Sequence, residues 1–126
     1  MRVIRQIYSI HAPIEKVWGA LVDPAMINKW GGGPAKMSDI EGAAFSLWGG
    51  DIHGKNLKVN PGKLLKQEWI SKDNDTPGTV TFTLKESNGV TTVALVHEGI
   101  SDESHDDLSD GWKNYYLGPM KKLFEQ

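Results

Sequence analysis

Three polar side chains of this 126-residue chain combine the right chemistry with inward-facing positions: His97, Gln67 and Tyr116. Histidine carries a proton-active ring near neutral pH, so His97 reads as a general base, a ligand donor, or a core histidine satisfied by Gln67 and Tyr116. Proton transfer would require a carboxylate or phenol to orient the imidazole. The carboxylates Asp51, Glu68, Glu86 and Glu98 alternate to the wet face of their strands, so no acid–base pair is visible. Without a nearby anion, burial should lower the proton affinity of His97. His11, His53 and His105 fall in a turn, a strand and a helix start, with no H-x-x-x-H or H-x-H spacing. Asp102, Glu103, Asp106 and Asp107 read as a solvated helix entrance, so no metal is expected. Cysteine is absent, which excludes disulfides, thiolate zinc sites and thiol nucleophiles. Gly31–Gly33 lacks the strand–turn–helix setting and the lysine of a phosphate loop, and reads as a flexible loop at a pocket mouth.

The elements that must position these groups follow from periodicity. Asn88-Gly89 is a two-residue hairpin signal. It pairs Ser87 with Val90, Leu84 with Val93, Phe82 with Leu95 and Val80 with His97, and turns Thr79, Thr81 and Thr83 outward. One face is then apolar and the other wet, as in a one-sided antiparallel sheet. Parity across Gly49-Gly50 puts Phe45, Leu47 and Ile52 on one side and Trp48 on the other. In strand 63–71, Leu65, Gln67 and Trp69 face inward. Further strands are expected at 3–10, 35–40, 44–48 and 51–59, with a turn over 73–78. Two short helices follow the first strand. One opens at Pro13 and carries Ile14, Val17, Trp18, Leu21 and Val22; the other, capped by Asp23-Pro24, carries Met26, Ile27 and Trp30. A long helix over 104–124 presents Leu108, Trp112, Tyr115, Tyr116, Pro119, Met120 and Leu123, capped by Ser104 and kinked by Pro119. The whole reads as one α+β domain, residues 1–126.

Composition narrows the partners. A net charge of −2 with dispersed basic residues gives no reason to expect nucleic acid or an anionic membrane. No run approaches membrane-spanning length and no signal-peptide core is present, so a cytoplasmic protein without membrane insertion is expected. Five tryptophans are the unusual feature. Trp30, Phe45, Trp69, Phe82, Trp112 and Tyr116 all point between sheet and long helix, either as solid core or as the lining of a pocket. With Leu47, Ile52, Gln67, Leu95 and His97 they form the candidate ligand-binding set.

The motifs A-P-I-E-K-V-W (Ala12–Trp18), F-S-L-W-G-G-D-I-H-G (Phe45–Gly54), P-G-K-L-L-K-Q-E-W (Pro61–Trp69) and G-W-K-N-Y-Y (Gly111–Tyr116) carry a resemblance over nearly the whole chain. In this order they resemble the C-terminal domain of the activator of heat-shock-protein-90 ATPase and its single-domain bacterial homologues, within the START-like, birch-allergen-like (SRPBCC) superfamily. The resemblance implies a helix-grip fold: a six- to seven-stranded curved antiparallel sheet wrapped around the long C-terminal helix. It also implies a small hydrophobic molecule held in an internal cavity between that helix and the sheet. A heat-shock chaperone is the alternative partner, although the co-chaperone's N-terminal chaperone-binding domain has no counterpart in these residues. A cyclase- or hydrolase-type enzyme in the same cavity is a third reading. No catalytic residue and no cofactor are implied.

Overall fold

Hairpin chemistry and strand parity account for the sheet. The computed structural model describes residues 2–71 and 74–125. Asn88, at φ 53°, and Gly89, at φ 79°, make the tight turn between β5 (Asn74–Ser87) and β6 (Val90–Ile100). The register is the expected one, with Leu84 opposite Val93, Phe82 opposite Leu95 and Val80 opposite His97. Buried and part-buried residues alternate strictly along β4 (Leu64–Ser71) from Leu64 to Trp69 and along β6 from Val90 to His97. Leu65, Gln67 and Trp69 are indeed inward. With β1 (Arg2–Ile10), β2 (Ala44–Leu47) and β3 (Ile52–Asn60), the strands form one antiparallel sheet in the order β1-β6-β5-β4-β3-β2.

Two expected elements differ. Residues 35–40 form no strand and contribute only a bridge between Lys36 and Ser46, so among the described residues the sheet has six strands. The stretch 73–78 is mostly strand, because β5 begins at Asn74; Asp73 lies outside the described residues.

α1 (Ile14–Val22) and α2 (Pro24–Trp30) fill the connection from β1 to β2. The Pro13 ring carries no hydrogen-bonding group to cap α1, and Glu86 of β5 accepts from the Ile14 amide instead, at 2.6 Å. Asp23 caps α2 through the Ala25 amide at 3.0 Å.

The C-terminal helix is interrupted. α3 (Asp102–Gly111) leads into a π-helical turn, Trp112–Tyr116, and then α4 (Leu117–Phe124). Its cap is Ser101 rather than Ser104: the Ser101 hydroxyl accepts from the Ser104 amide at 3.3 Å. Pro119 has no amide to give the Tyr115 carbonyl, and its ring crowds that position. The hydrogen-bond register slips there, so that the Leu117 amide donates to the Trp112 carbonyl five residues back. Gly118 makes the slip possible, since a Cβ at this position would stand 1.9 Å from the Lys113 carbonyl oxygen. The slip leaves Trp112, Tyr116 and Met120 buried but turns Tyr115 outward, 67% exposed, against the sequence expectation.

Candidate functional site

Trp112 and Tyr116 hang from the π-helical turn onto the inner face of the sheet. The Trp112 ring stacks on Trp69 of β4 at 4.6 Å between centroids and meets Phe82 of β5 edge-on at 5.7 Å. Tyr116 lies 4.8 Å from Trp112, 5.7 Å from Phe82 and 4.5 Å from Trp30 of α2. Contacts of this kind contribute stability beyond the area they bury. They also fill the space between helix and sheet with rings, so the room for a ligand lies beside the cluster and not within it.

The buried polar groups are wired to one another. Trp69 Nε1 donates to Gln67 Oε1 at 3.0 Å, and the Gln67 amide nitrogen donates to Asn56 Oδ1 at 2.9 Å. Asn56 then donates to the carbonyls of Ser38 and Ile40 at 2.9 and 3.0 Å. Trp112 Nε1 donates to His97 Nδ1 at 3.0 Å. The His97 ring meets Trp69 edge-on at 5.7 Å, and its Nε2 abuts Gly78, where a Cβ would stand 2.9 Å away. Burial without an opposing charge pushes the His97 pKa down to about 4, leaving the ring neutral at pH 7. The partners of His97 and Gln67 are thus indole N–H groups, Asn56 and Met37, and neither residue bonds to Tyr116.

One buried ring of the cluster remains unsatisfied. Tyr116 is 1% exposed and its hydroxyl has no hydrogen-bond partner; burial raises its pKa well above the ordinary phenol range. Leaving such a group unpaired costs on the order of 1–3 kcal/mol.

At the open side of the cluster is a cleft of about 470 Å³, walled by Trp48, Asp51, Ile52, Trp69, Leu108, Gly111, Trp112, Tyr115 and Tyr116. Of the eleven candidate residues, Ile52, Trp69, Trp112 and Tyr116 wall this cleft, while Trp30, Phe45, Leu47, Gln67, Phe82, Leu95 and His97 form the packed core. Sequence reasoning missed Asp51, Leu108, Gly111 and Tyr115 as lining residues, and missed Asn56 as the hub of the polar network. Asn56 shares the parity of Ile52 and is 1% exposed; that parity was the available signal.

Trp48 also differs from expectation. It does not face away from the core but adopts φ 49° in the short turn Trp48–Gly50, which swings its ring over the cleft, 6.2 Å from Tyr116 and 6.3 Å from Trp30. Its Nε1 donates to the Gly31 carbonyl at 2.8 Å, its amide to Gly32 at 2.8 Å, and the Gly49 amide to Pro34 at 3.0 Å. The glycine loop is therefore pinned at the mouth by backbone hydrogen bonds. It is also packed: a Cβ at Gly33 would stand 1.9 Å from Asn28 Oδ1. Among the described residues, no group of three or more histidines and carboxylates could hold a metal ion, and no helix is long and apolar enough to cross a membrane.

Known proteins share this architecture. An uncharacterized protein of Schizosaccharomyces pombe is 26% identical over 96% of this chain and 37% of its own length. An activator of 90 kDa heat shock protein ATPase homolog of Dictyostelium discoideum is 34% identical over 67% of this chain and 23% of its own. The chain thus spans well under half the length of these relatives. The crystal structure of an HSP90 activator from Plasmodium falciparum superposes with a TM-score of 0.88 at 19% identity, covering 99% of this chain and 97% of that one, a likeness of fold. The model of the Activator of Hsp90 ATPase homolog 1-like proteins matches residues 11–125, and the chain belongs to that family.

Proposed function

We propose that this protein acts in the cytoplasm as a binding protein, holding a small, mainly apolar molecule in the cleft between α3, the π-helical turn and the β2–β3 end of the sheet. The observation that carries this reading is the cleft itself: about 470 Å³, with three tryptophans, two tyrosines, Ile52 and Leu108 among its nine lining residues. That volume lies in the range of small-molecule sites, whose walls are mostly apolar with a few convergent polar groups. The packed core behind it supplies rigidity. Its Trp69–Gln67–Asn56 and Trp112–His97 hydrogen bonds are closed within the protein, so a ligand need not compete with them. Titration with a panel of apolar metabolites and lipids, followed through the indole N–H signals of Trp48, Trp69 and Trp112, should show saturable stoichiometric binding. Trp48→Ala, which removes the ring over the mouth, should weaken it about tenfold with the fold intact. Saturation that leaves these three signals unmoved would refute the site.

Family membership supports a second reading, a heat-shock chaperone as partner, because the matching Dictyostelium protein is named an activator of a 90 kDa heat shock protein ATPase. That reading is tested by the ATPase rate of a cognate chaperone of that class. A rise that saturates with added protein supports it, and an unchanged rate removes it.

A further inference from the structure

We propose that a second groove, between the C-terminal helix and β1, binds a compact phosphate-type anion carrying two or more charges. β1 is the sheet edge opposite β2, and the groove shares none of the residues that wall the cleft.

The π-helical turn builds this groove. It has a volume of about 470 Å³ and lies between Tyr8 of β1 and side chains of the helix from Lys113 to Glu125. In an unbroken α-helix two turns take about 7.2 residues, so Lys113 and Lys121, eight apart, would diverge. The register slip over Trp112–Tyr116 absorbs one residue. The two lysines therefore stand two turns apart along one face, roughly 11 Å at the backbone. Gly118 and Pro119 fall between them and carry no long side chain, which leaves the groove open there. Asn114 follows Lys113 at one end, and Lys122 follows Lys121 at the other. Basic residues dispersed along the sequence are thus gathered by the fold. Three lysines and one carboxylate, Glu125, line the groove of a chain whose net charge is −2.

The cations are poorly compensated. Lys121 Nζ stands 3.9 Å from Glu125 Oε1, and among the described residues neither Lys113 nor Lys122 pairs with a carboxylate. The helix dipole accounts for Lys121 and Lys122, in the last turn of α4. It does not account for Lys113, which sits in the π-helical turn. Tyr8 adds no negative charge: burial raises its pKa, and its hydroxyl donates to Gln6 Oε1 at 2.6 Å. No arginine lines the groove, so the planar fork that matches a carboxylate is missing. Lysines act as mobile point charges, which suit the tetrahedral oxygens of phosphate. A single phosphate meets one end of the groove. An anion with two or more engages both ends.

The experiment titrates the full chain with orthophosphate, tripolyphosphate and citrate at physiological salt, with dissociation constants from calorimetry. Backbone amide shifts of Lys113, Gly118 and Lys122 report the site. Tripolyphosphate should bind with unit stoichiometry, about tenfold more tightly than either of the other probes. Lys113→Gln combined with Lys121→Gln should weaken it about tenfold, the effect of two exposed ion contacts. Lys58→Gln combined with Lys66→Gln removes the same charge from β3 and β4 and should leave the affinity unchanged, because salt screens distant charges. Glu125→Gln, which releases Lys121, should tighten binding about threefold. Equal affinity for tripolyphosphate and orthophosphate, citrate bound as tightly, equal weakening by the two lysine pairs, or shifts confined to other residues would each overturn the proposal. Phosphatidylcholine vesicles, with and without a bisphosphorylated inositol lipid, separate the two sources of such phosphates. Co-sedimentation that needs this lipid and is lost with Lys113→Gln and Lys121→Gln supports the site with a headgroup as ligand. Tripolyphosphate binding without co-sedimentation supports it with a free molecule.

Discussion

Acid should destabilise this protein through His97, and the size of the effect follows from its surroundings. The ring is 3% exposed, accepts from Trp112 Nε1 through Nδ1, and has aromatic neighbours in Trp69 and Trp112. Desolvation lowers its pKa from 6.5 to about 4. The unfolded chain therefore takes up a proton on this ring at a pH where the folded chain refuses it. The contribution is fully present above pH 6.5 and is lost as pH falls toward 4. Linkage over that window gives a loss of roughly 2–3 kcal/mol between about pH 7.5 and about pH 4.5. That is a sizeable part of the stability of an ordinary domain. Other groups titrate over the same range, so the measurement is a difference of differences. Urea unfolding free energies of wild type and His97→Gln are taken at both pH values. The glutamine keeps an acceptor for Trp112 Nε1 and cannot ionise in this range. The wild type should lose roughly 2–3 kcal/mol more than the variant on acidification. Equal losses, or an NMR midpoint for His97 close to that of an exposed histidine, would refute the argument. A raised midpoint would mean that an anion faces the ring, and would put proton-transfer chemistry ahead of simple binding.

Three substitutions test the packing. Gln67→Leu strands Trp69 Nε1 and Asn56 Oδ1, and should cost roughly 3 kcal/mol in urea unfolding; a cost near zero would mean that the polar chain is not closed in solution. Gly118→Ala places a methyl carbon 1.9 Å from the Lys113 carbonyl oxygen, so it should destabilise by roughly 3 kcal/mol or more and disturb the Trp112 and Tyr116 ring signals together. Gly19→Ala, in the middle of α1 with no atom within 4 Å of the added methyl, should instead stabilise by about 0.5–1 kcal/mol, seen as a higher urea midpoint.

Where two levels of the sequence agreed, the fold was legible. Asn88-Gly89 fixed a register, and the apolar alternation of Val80, Phe82 and Leu84 fixed its face, so the pairing could not slip by one residue without burying threonines. Single backbone events overrode parity elsewhere. Trp48 sits at φ 49°, a conformation that a bulky side chain rarely adopts, and alternation along β2 cannot foresee it. Tyr115 kept its place in a 3.6-residue pattern on paper. Pro119 and Gly118 shifted the helix register ahead of them and turned that ring to solvent. The six residues 35–40 after Gly33-Pro34 read as strand, but only Lys36 pairs.

The candidate site was legible in its residues and not in its division of labour. His97 and Gln67 had the right types and the right faces to greet a ligand, and Tyr116 was enlisted as their partner. In the folded chain the indole nitrogens reach His97 and Gln67 first, because Trp69 shares β4 with Gln67 and Trp112 drops from the helix onto β6. A buried indole N–H usually finds a partner; for Trp69 and Trp112 the two inward polar side chains supply it, while Trp18 Nε1 has none. Trp69 and Trp112 thus account for two facts at once: their rings help close the interior to a ligand, and their N–H groups consume Gln67 and His97, the polar side chains that would have recognised one. What remains without a partner is Trp18 Nε1 and the Tyr116 hydroxyl, which is buried among the rings. For that reason the histidine that the sequence puts forward first serves the packing of the core, its ring held by the Trp112 indole, and the room for a ligand lies beside it.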